Sequence, residues 1–324
     1  MEISPSVYEH AAQLIHVTPW EASRDGELIY QAHAAAYRIY RHAPIMPGID
    51  IYNLEAEAYG AEIEQPIGNA TPAVRNHPFH SIDEILKLPP LNAEKDGRIP
   101  VQIQVAKRLM ETFPEAVIRV PISGPFSIAC NLLGFDRVML EVADRPDHVR
   151  EALLHLVDGQ LAFAQGVKDA GVDITFFESA ACPPMLSPKM FRNIELPSLK
   201  KILGGMATII GRPIPCIIGG NTTPIVEAMI ETGTTYLVCP FETNQTAFLE
   251  KVKDRQDIQI RINCDLRIIS SGTRDEIRKE ADRVIALCRT RKNVCLGTGA
   301  LPYEASVDNV LYVMDYVRSV ESVE

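Results

Sequence analysis

The chain has no run of lysine or arginine. Its formal net charge is −10 over 324 residues. Phosphate binding needs clustered positive charge, so nucleic acid is not an expected partner. No apolar run approaches the ~20 residues of a membrane helix, and no membrane span is expected. The start, Met1-Glu2-Ile3-Ser4-Pro5, lacks a basic segment followed by an apolar one. No secretory signal is therefore read there, and a cytoplasmic location is expected. The seven cysteines (130, 182, 216, 239, 264, 288 and 295) are odd in number and irregularly spaced. That fits a reduced protein better than a disulfide framework. A dinucleotide fingerprint is missing too, since Gly297-Thr298-Gly299 has Pro302 where the third glycine would fall. There is no Gly-x-Ser-x-Gly nucleophile elbow and no internal repeat.

What is present is a sizeable apolar fraction, 46%, and a regular rhythm. Residues 5–43 show helical spacing, with Ala11, Leu14, Ile15 and later Ile29, Ala32, Ala36 and Ile39 recurring. Residues 65–100 are rich in proline and read as a surface excursion with one short helix. His77 and His80 fall in it and read as loop histidines. From about residue 100, short β-rich runs alternate with helices. The runs are 116–121, 173–177, 213–218, 236–238, 258–262 and 294–296, and residues 48–52 are a further candidate. Such alternation argues for a parallel sheet. The expected fold is a (β/α)8 TIM barrel with an N-terminal helical extension; a doubly wound sheet is the alternative. The expected organisation is one domain over 1–324, with helices in 1–44 and the barrel in 45–324.

In such a barrel the residues just after each strand gather at one face. Here they are Glu178-Ser179, Gly220-Asn221-Thr222, Cys239-Pro240-Phe241-Glu242, Asn263-Cys264-Asp265 and Gly297-Thr298-Gly299. Asn, Asp and Gly at these places also cap the helices that follow, so each residue has two readings. Glu178 and Asn221 are the catalytic candidates. Both, with Glu242, Asn263 and Asp265, are candidates for binding substrate. Asn263 and Asp265 are expected to divide the work, one facing the pocket and one capping. Gly220, Gly297 and Gly299 are candidates for close approach of a cofactor.

Several segments carry a resemblance. Residues 53–61 read Asn-Leu-Glu-Ala-Glu-Ala-Tyr-Gly-Ala, 124–129 read Gly-Pro-Phe-Ser-Ile-Ala, and 186–191 read Leu-Ser-Pro-Lys-Met-Phe. With Gly220-Asn221-Thr222-Thr223-Pro224, Asn263-Cys264-Asp265 and the Gly-Thr-Gly-Ala-Leu-Pro of 297–302, the chain resembles the uroporphyrinogen decarboxylase superfamily. The branch it resembles is that of the corrinoid-dependent methyltransferases. Asn53, which opens the first segment, is a further substrate-binding candidate. Zinc members of that branch have His-x-Cys before Gly-Asn-Thr-Thr-Pro, and a further Cys after the last Gly-x-Gly. Here Ile217, Gly219 and Ala300 occupy those positions. Cys216, Cys239 and Cys295 lie near but off register, so no metal site is expected. True decarboxylases of the superfamily carry an arginine-rich N-terminal stretch for a many-carboxylate substrate. This chain has none.

The resemblance then implies a methyltransferase whose acceptor needs no metal. Tetrahydrofolate fits, because its N5 amine is a nucleophile at neutral pH. The expected activity is transfer of a methyl group from a methylated corrinoid to N5 of tetrahydrofolate. No Asp-x-His-x-x-Gly corrinoid motif occurs, so the corrinoid (methylcobalamin-type) is expected from a partner protein. The alternatives are zinc-dependent transfer to a thiol of the coenzyme M type, a decarboxylase-like enzyme, and a non-catalytic barrel that binds ligand. A homodimer is implied by the resemblance alone.

Overall fold

The computed structural model describes residues 2–321. Seven parallel strands form one sheet in the order β1-β9-β8-β7-β6-β5-β4. They are β1 (Ile3–Val7), β4 (Arg119–Ser123), β5 (Asp173–Glu178), β6 (Cys216–Ile218), β7 (Tyr236–Cys239), β8 (Gln259–Asn263) and β9 (Val294–Leu301). A separate antiparallel hairpin, β2 (Glu62–Glu64) with β3 (Ala73–Asn76), stands beside them. The two sheet edges, β1 and β4, are joined by residues 43–45. Ser4 Oγ donates to the Ala43 carbonyl at 3.0 Å and accepts from the Ala43 N–H at 3.1 Å. On the other side, Ile45 bridges to Ile118 in parallel. That segment is the eighth stave, and the sheet closes into a barrel. Closure gives the β4 edge backbone partners in Ile45 and ties the β1 edge through the Ser4 hydroxyl.

Two expectations need correction. The barrel starts at Ile3, not at residue 45: β1 pairs with β9 along its length. Within 1–44, the helices are His10–Gln13, Pro19–Arg24 and Gly26–Tyr40. The helical spacing of residues 11–39 is real, but it hid a five-residue strand in front of it. Ile3 and Val7 of that strand are buried in the core. Residues 48–52 are not a strand. Gly48 sits at φ +125°, where an L side chain is strained. Its amide donates to His33 Nε2 at 3.0 Å, against the helix Gly26–Tyr40.

The remaining elements follow the expected rhythm. Helix starts are fixed by local side chains: Thr273 and Glu276 form a reciprocal cap, and Ser187 accepts from the Met190 N–H at 3.3 Å. The proline-rich excursion carries one short helix, Ile82–Lys87, and also β3 of the hairpin. Among the described residues no helix is long and apolar enough to cross a membrane.

The turn at 48–57 is fastened to the N-terminal helices by charge. Asp50, 1% exposed, accepts from Arg98 Nη2 at 2.7 Å and from Arg24 Nη2 at 3.1 Å. Arg98 Nε also donates to Glu57 at 2.6 Å. Removing one member of a buried ion network strands the others without a partner. Asp50→Ala is therefore expected to lower stability by roughly 3–5 kcal/mol, the usual cost of breaking a buried pair. Urea unfolding, followed by far-UV circular dichroism, checks this.

Candidate active site

Alternate residues of a strand point to opposite faces, so each strand sends every second side chain into the barrel. At the C-terminal end of the strands the interior opens into a cavity of about 250 Å³. Its wall includes Ile217, Gly219 and Ala300 together. The three positions named as empty ligand positions thus converge on one space, although they come from two distant segments. A register shift in the β1–β9 pairing helps. Ser4 faces Gly297 and Ser6 faces Ala300, so β9 carries an extra residue there.

Of the predicted binding residues, Asn263, Glu242, Gly220 and Gly299 line this cavity. Asn221 is exposed and does not line it; its Oδ1 accepts from Thr243 Oγ1 at 3.2 Å. Asp265 does not reach it. Its carboxylate accepts from the Arg267 N–H at 3.0 Å and starts the helix Leu266–Ser271. The expected division between Asn263 and Asp265 is what the geometry has.

Three other residues are corrected. Glu178 is not in the cavity. Its neighbour Phe177 faces inward, so Glu178 faces the helical layer. There it accepts from the Ser127 N–H at 3.2 Å, the Ala180 N–H at 3.0 Å and the Ser127 hydroxyl. It caps the helix Pro125–Leu133, and Gly124 leaves room for it. It also meets Glu195. Burial and then the Glu178 charge hold the Glu195 carboxyl well above the usual range. Two buried carboxyls this close disfavour a second negative charge. Asn53 is also outside the cavity, because its amide donates to Asp50 at 3.1 Å and to the Pro72 carbonyl at 2.8 Å. Gly297 is not a cofactor contact. A Cβ there would lie 1.9 Å from Arg261 Nε, so the glycine makes space for that arginine.

Arg261 is the main residue that sequence reasoning missed. It projects into the barrel from the middle of β8 and is 7% exposed. Its Nη2 donates to the Ser4 carbonyl at 2.8 Å and to Ser6 Oγ at 2.9 Å, and its Nε donates to Asn263 Oδ1 at 3.2 Å. Among the described residues no carboxylate forms an ion pair with it. The signal was present: Gln259-Ile260-Arg261-Ile262-Asn263 alternates polar and apolar, with both isoleucines fully buried. Tyr8, Met46 and Tyr52 were also missed as wall residues. They come from the segment assigned to an outer extension or a strand. Tyr8 meets Phe177 edge to face, with ring centroids 6.0 Å apart. Burial pushes the Tyr8 phenol well above its ordinary range, so it stays a neutral donor.

The cysteines lie where their register puts them. Cys216 is fully buried on the outer face, where burial and then Glu195 and Glu178 raise its thiol. Cys239 is also buried, and Cys295 lines a separate chamber below. Among the described residues no three His, Cys, Asp or Glu side chains cluster closely enough to hold a metal ion. At the upper cavity Ile217, Gly219 and Ala300 offer a zinc ion no ligand atom from their side chains.

The sequence profile of the family Uroporphyrinogen decarboxylase (URO-D) matches residues 4–320. The chain belongs to this family. Two curated relatives are similar over shorter stretches. Both are named Methylcobamide:CoM methyltransferase MtaA, from Methanosarcina barkeri. The one from strain Fusaro / DSM 804 is 26% identical over 156 residues, 47% of this chain and 45% of that protein. The other is 25% identical over 229 residues, 69% of this chain and 66% of that protein. The chain thus spans between just under half and about two thirds of these relatives. A solved methyltransferase from Methanosarcina mazei superposes with a TM-score of 0.80 at 20% identity, covering 98% of this chain and 94% of that one. At that identity the likeness establishes the shared barrel.

One buried carboxyl near the site sets a pH dependence. Glu55 is fully buried, and Oε1 accepts from the Ser123 N–H at 2.7 Å at the end of β4. Burial pushes its carboxyl from 4.5 up to about 7. A group whose folded pKa is raised binds its proton more tightly when folded. Its contribution is fully present below the unfolded value and is lost as pH rises through about 7. Stability is expected to fall by on the order of 3 kcal/mol between pH ~4.5 and ~7.5 from this group. In Glu55→Gln that part of the slope disappears. Urea unfolding across the pH range reads it.

Proposed function

We propose that this protein is a corrinoid-dependent methyltransferase whose acceptor is tetrahydrofolate. The names of the two curated relatives support the methyl-transfer class. One observation carries the choice of acceptor: Ile217, Gly219 and Ala300 meet on one cavity and bring no ligand atom. A thiol acceptor needs a metal or a base to become a thiolate at neutral pH. An amine such as N5 of tetrahydrofolate carries its own lone pair. Size supports the same reading. A cavity of about 250 Å³ lies below the ~300–1,000 Å³ of sites that enclose drug-sized ligands. It suits a pterin head and not a corrin macrocycle.

In this reading the pterin enters head first. Asn263 keeps its Nδ2 donors for the ring edge, because Oδ1 already accepts from Arg261. The exposed carboxylate of Glu242 accepts from ring N–H groups. Tyr8, Phe177 and Met46 form the apolar wall. The donor stays at the mouth, where the cavity-lining Tyr52 exposes apolar surface. When bound, the corrinoid, brought by a partner protein, supplies the methyl group and leaves as Co(I). The N5 lone pair forms the new N–C bond, and the N5 proton passes to solvent. The chain's part is orientation and exclusion of water. A homodimer in the cytoplasm completes the reading.

The second reading is transfer to a thiol, favoured by the names of the two Methanosarcina barkeri relatives. Purified protein with methylcobalamin and either tetrahydrofolate or 2-mercaptoethanesulfonate separates the two. The expected result is loss of the methyl–cobalt absorbance with tetrahydrofolate, undiminished by a chelator. Turnover with the thiol alone, dependent on stoichiometric zinc, would overturn the proposal.

Asn263→Ala is expected to raise KM for tetrahydrofolate by about tenfold or more. That corresponds to the ~1–3 kcal/mol cost of an unpaired polar group at a buried edge. Steady-state kinetics checks it, with kcat at saturating acceptor largely kept.

A further inference from the structure

The barrel is hollow at both ends. Below the upper cavity, at the N-terminal ends of the strands, lies a second chamber of about 420 Å³. Barrels of this class fill their interior with layers of bulky side chains, and their sites lie at the opposite face. Here small residues, among them Ser4, Ala43, Thr175, Pro215 and Cys295, make up part of the lower interior and leave it hollow between longer side chains. Nothing in the methyl-transfer reading uses this space.

Its charge is informative. Arg119, Arg212 and Arg261 all line it. Arg119 and Arg212 share a single carboxylate, Asp173. The chamber wall also holds Glu2. Three guanidinium groups thus face two carboxylates, which leaves one positive charge in excess. Arg261 is the buried one, at 7% exposure, and only neutral groups accept its hydrogen bonds. A buried cation without an anion is costly, and a bound anion removes that cost. Pro44, Pro213, Val117 and Ile217 give the same chamber apolar sides. Tyr236 and Gln259 add neutral polar groups.

We infer that the lower chamber is a second ligand site, for a small organic carboxylate. The carboxylate head would meet Arg261 and the Arg119–Arg212 pair, and its apolar body would lie against the prolines. The inference does not depend on the identity of the methyl acceptor.

The test uses the full chain and a series of probes: acetate, butyrate, benzoate and, as the uncharged control, benzamide. Binding is read by titration calorimetry. Location is read by mass spectrometry of Cys295 alkylation, since that thiol lines the chamber. Benzoate is expected to bind and to slow alkylation of Cys295, with benzamide at least tenfold weaker. The double variant Arg119→Gln/Arg212→Gln is expected to lose tenfold or more in benzoate affinity, while Glu242→Gln, which alters only the upper cavity, leaves it within twofold. Should the double variant not fold, the benzoate–benzamide difference with Cys295 protection decides alone. Three results would overturn the inference: no binding of any carboxylate, equal binding of benzamide, or binding that Glu242→Gln alters tenfold or more and that leaves Cys295 unprotected.

Discussion

Neighbouring side chains on a strand point to opposite faces, and in this closed barrel that parity assigns nearly every functional role. On β5, Thr175 and Phe177 face the interior, while Ile174, Phe176 and Glu178 are sealed against the helices. On β8, Gln259, Arg261 and Asn263 face inward between two isoleucines with no exposure. A carboxylate one position too late becomes a helix cap, and an arginine at an inward position becomes the centre of the interior. Residue type matters only after this geometric choice has been made.

Parity also explains what could be read in the chain. Ile217 and Gly219 share a face, so an alignment on Gly-Asn-Thr-Thr-Pro located the cavity wall without any structure. The strand–helix rhythm from about residue 100 was legible because each strand is short, apolar and followed by a turn signal. The first strand was not. Ile3-Ser4-Pro5-Ser6-Val7 carries a proline and two serines, and its apolar residues are only Ile3, Pro5 and Val7. Its pairing with β9 spans nearly the whole chain, and no local pattern encodes that. Losing this strand also lost Ser6, Tyr8 and Met46 from the site. Glu178 was misread for a different reason: chemistry suggested a role that only its facing could veto.

The barrel lumen between the two cavities and the chain as a whole carry opposite signs. The chain as a whole is at −10, yet the one fully interior charge between the two cavities is Arg261. It is held by a carbonyl, a hydroxyl and an amide oxygen. Neutral partners fix its position without cancelling its charge. In a low-dielectric interior such a charge acts further than it would at the surface. The barrel therefore presents anionic or electron-rich groups with an attractive interior behind a repulsive exterior. This favours small ligands that enter deeply over large anions that stay outside.

The persistence of the frame around absent ligands has a structural cause. Gly297 is needed because any Cβ would strike Arg261 and Asn263. Gly220 sits at φ +76°, and a Cβ there would come within 2.6 Å of Cys182 Sγ. Thr223 ties its loop to the next one, with its N–H donating to Thr243 Oγ1 at 2.8 Å and its hydroxyl to the Asn244 carbonyl at 3.0 Å. Each of these residues serves backbone conformation or packing, whatever the cavity contains. Ile217, Gly219 and Ala300 are held differently: Ile217 packs against Tyr8, Met46, Ile51 and Phe177, a Cβ at Gly219 would meet nothing within 4 Å, and Ala300 is exposed. Gly219 and Ala300 can therefore change with little cost to the fold, whereas Ile217 tolerates only what that apolar wall accepts. The loops around the cavity are thus fixed by glycine conformation and by Thr223, and not by whatever the cavity holds.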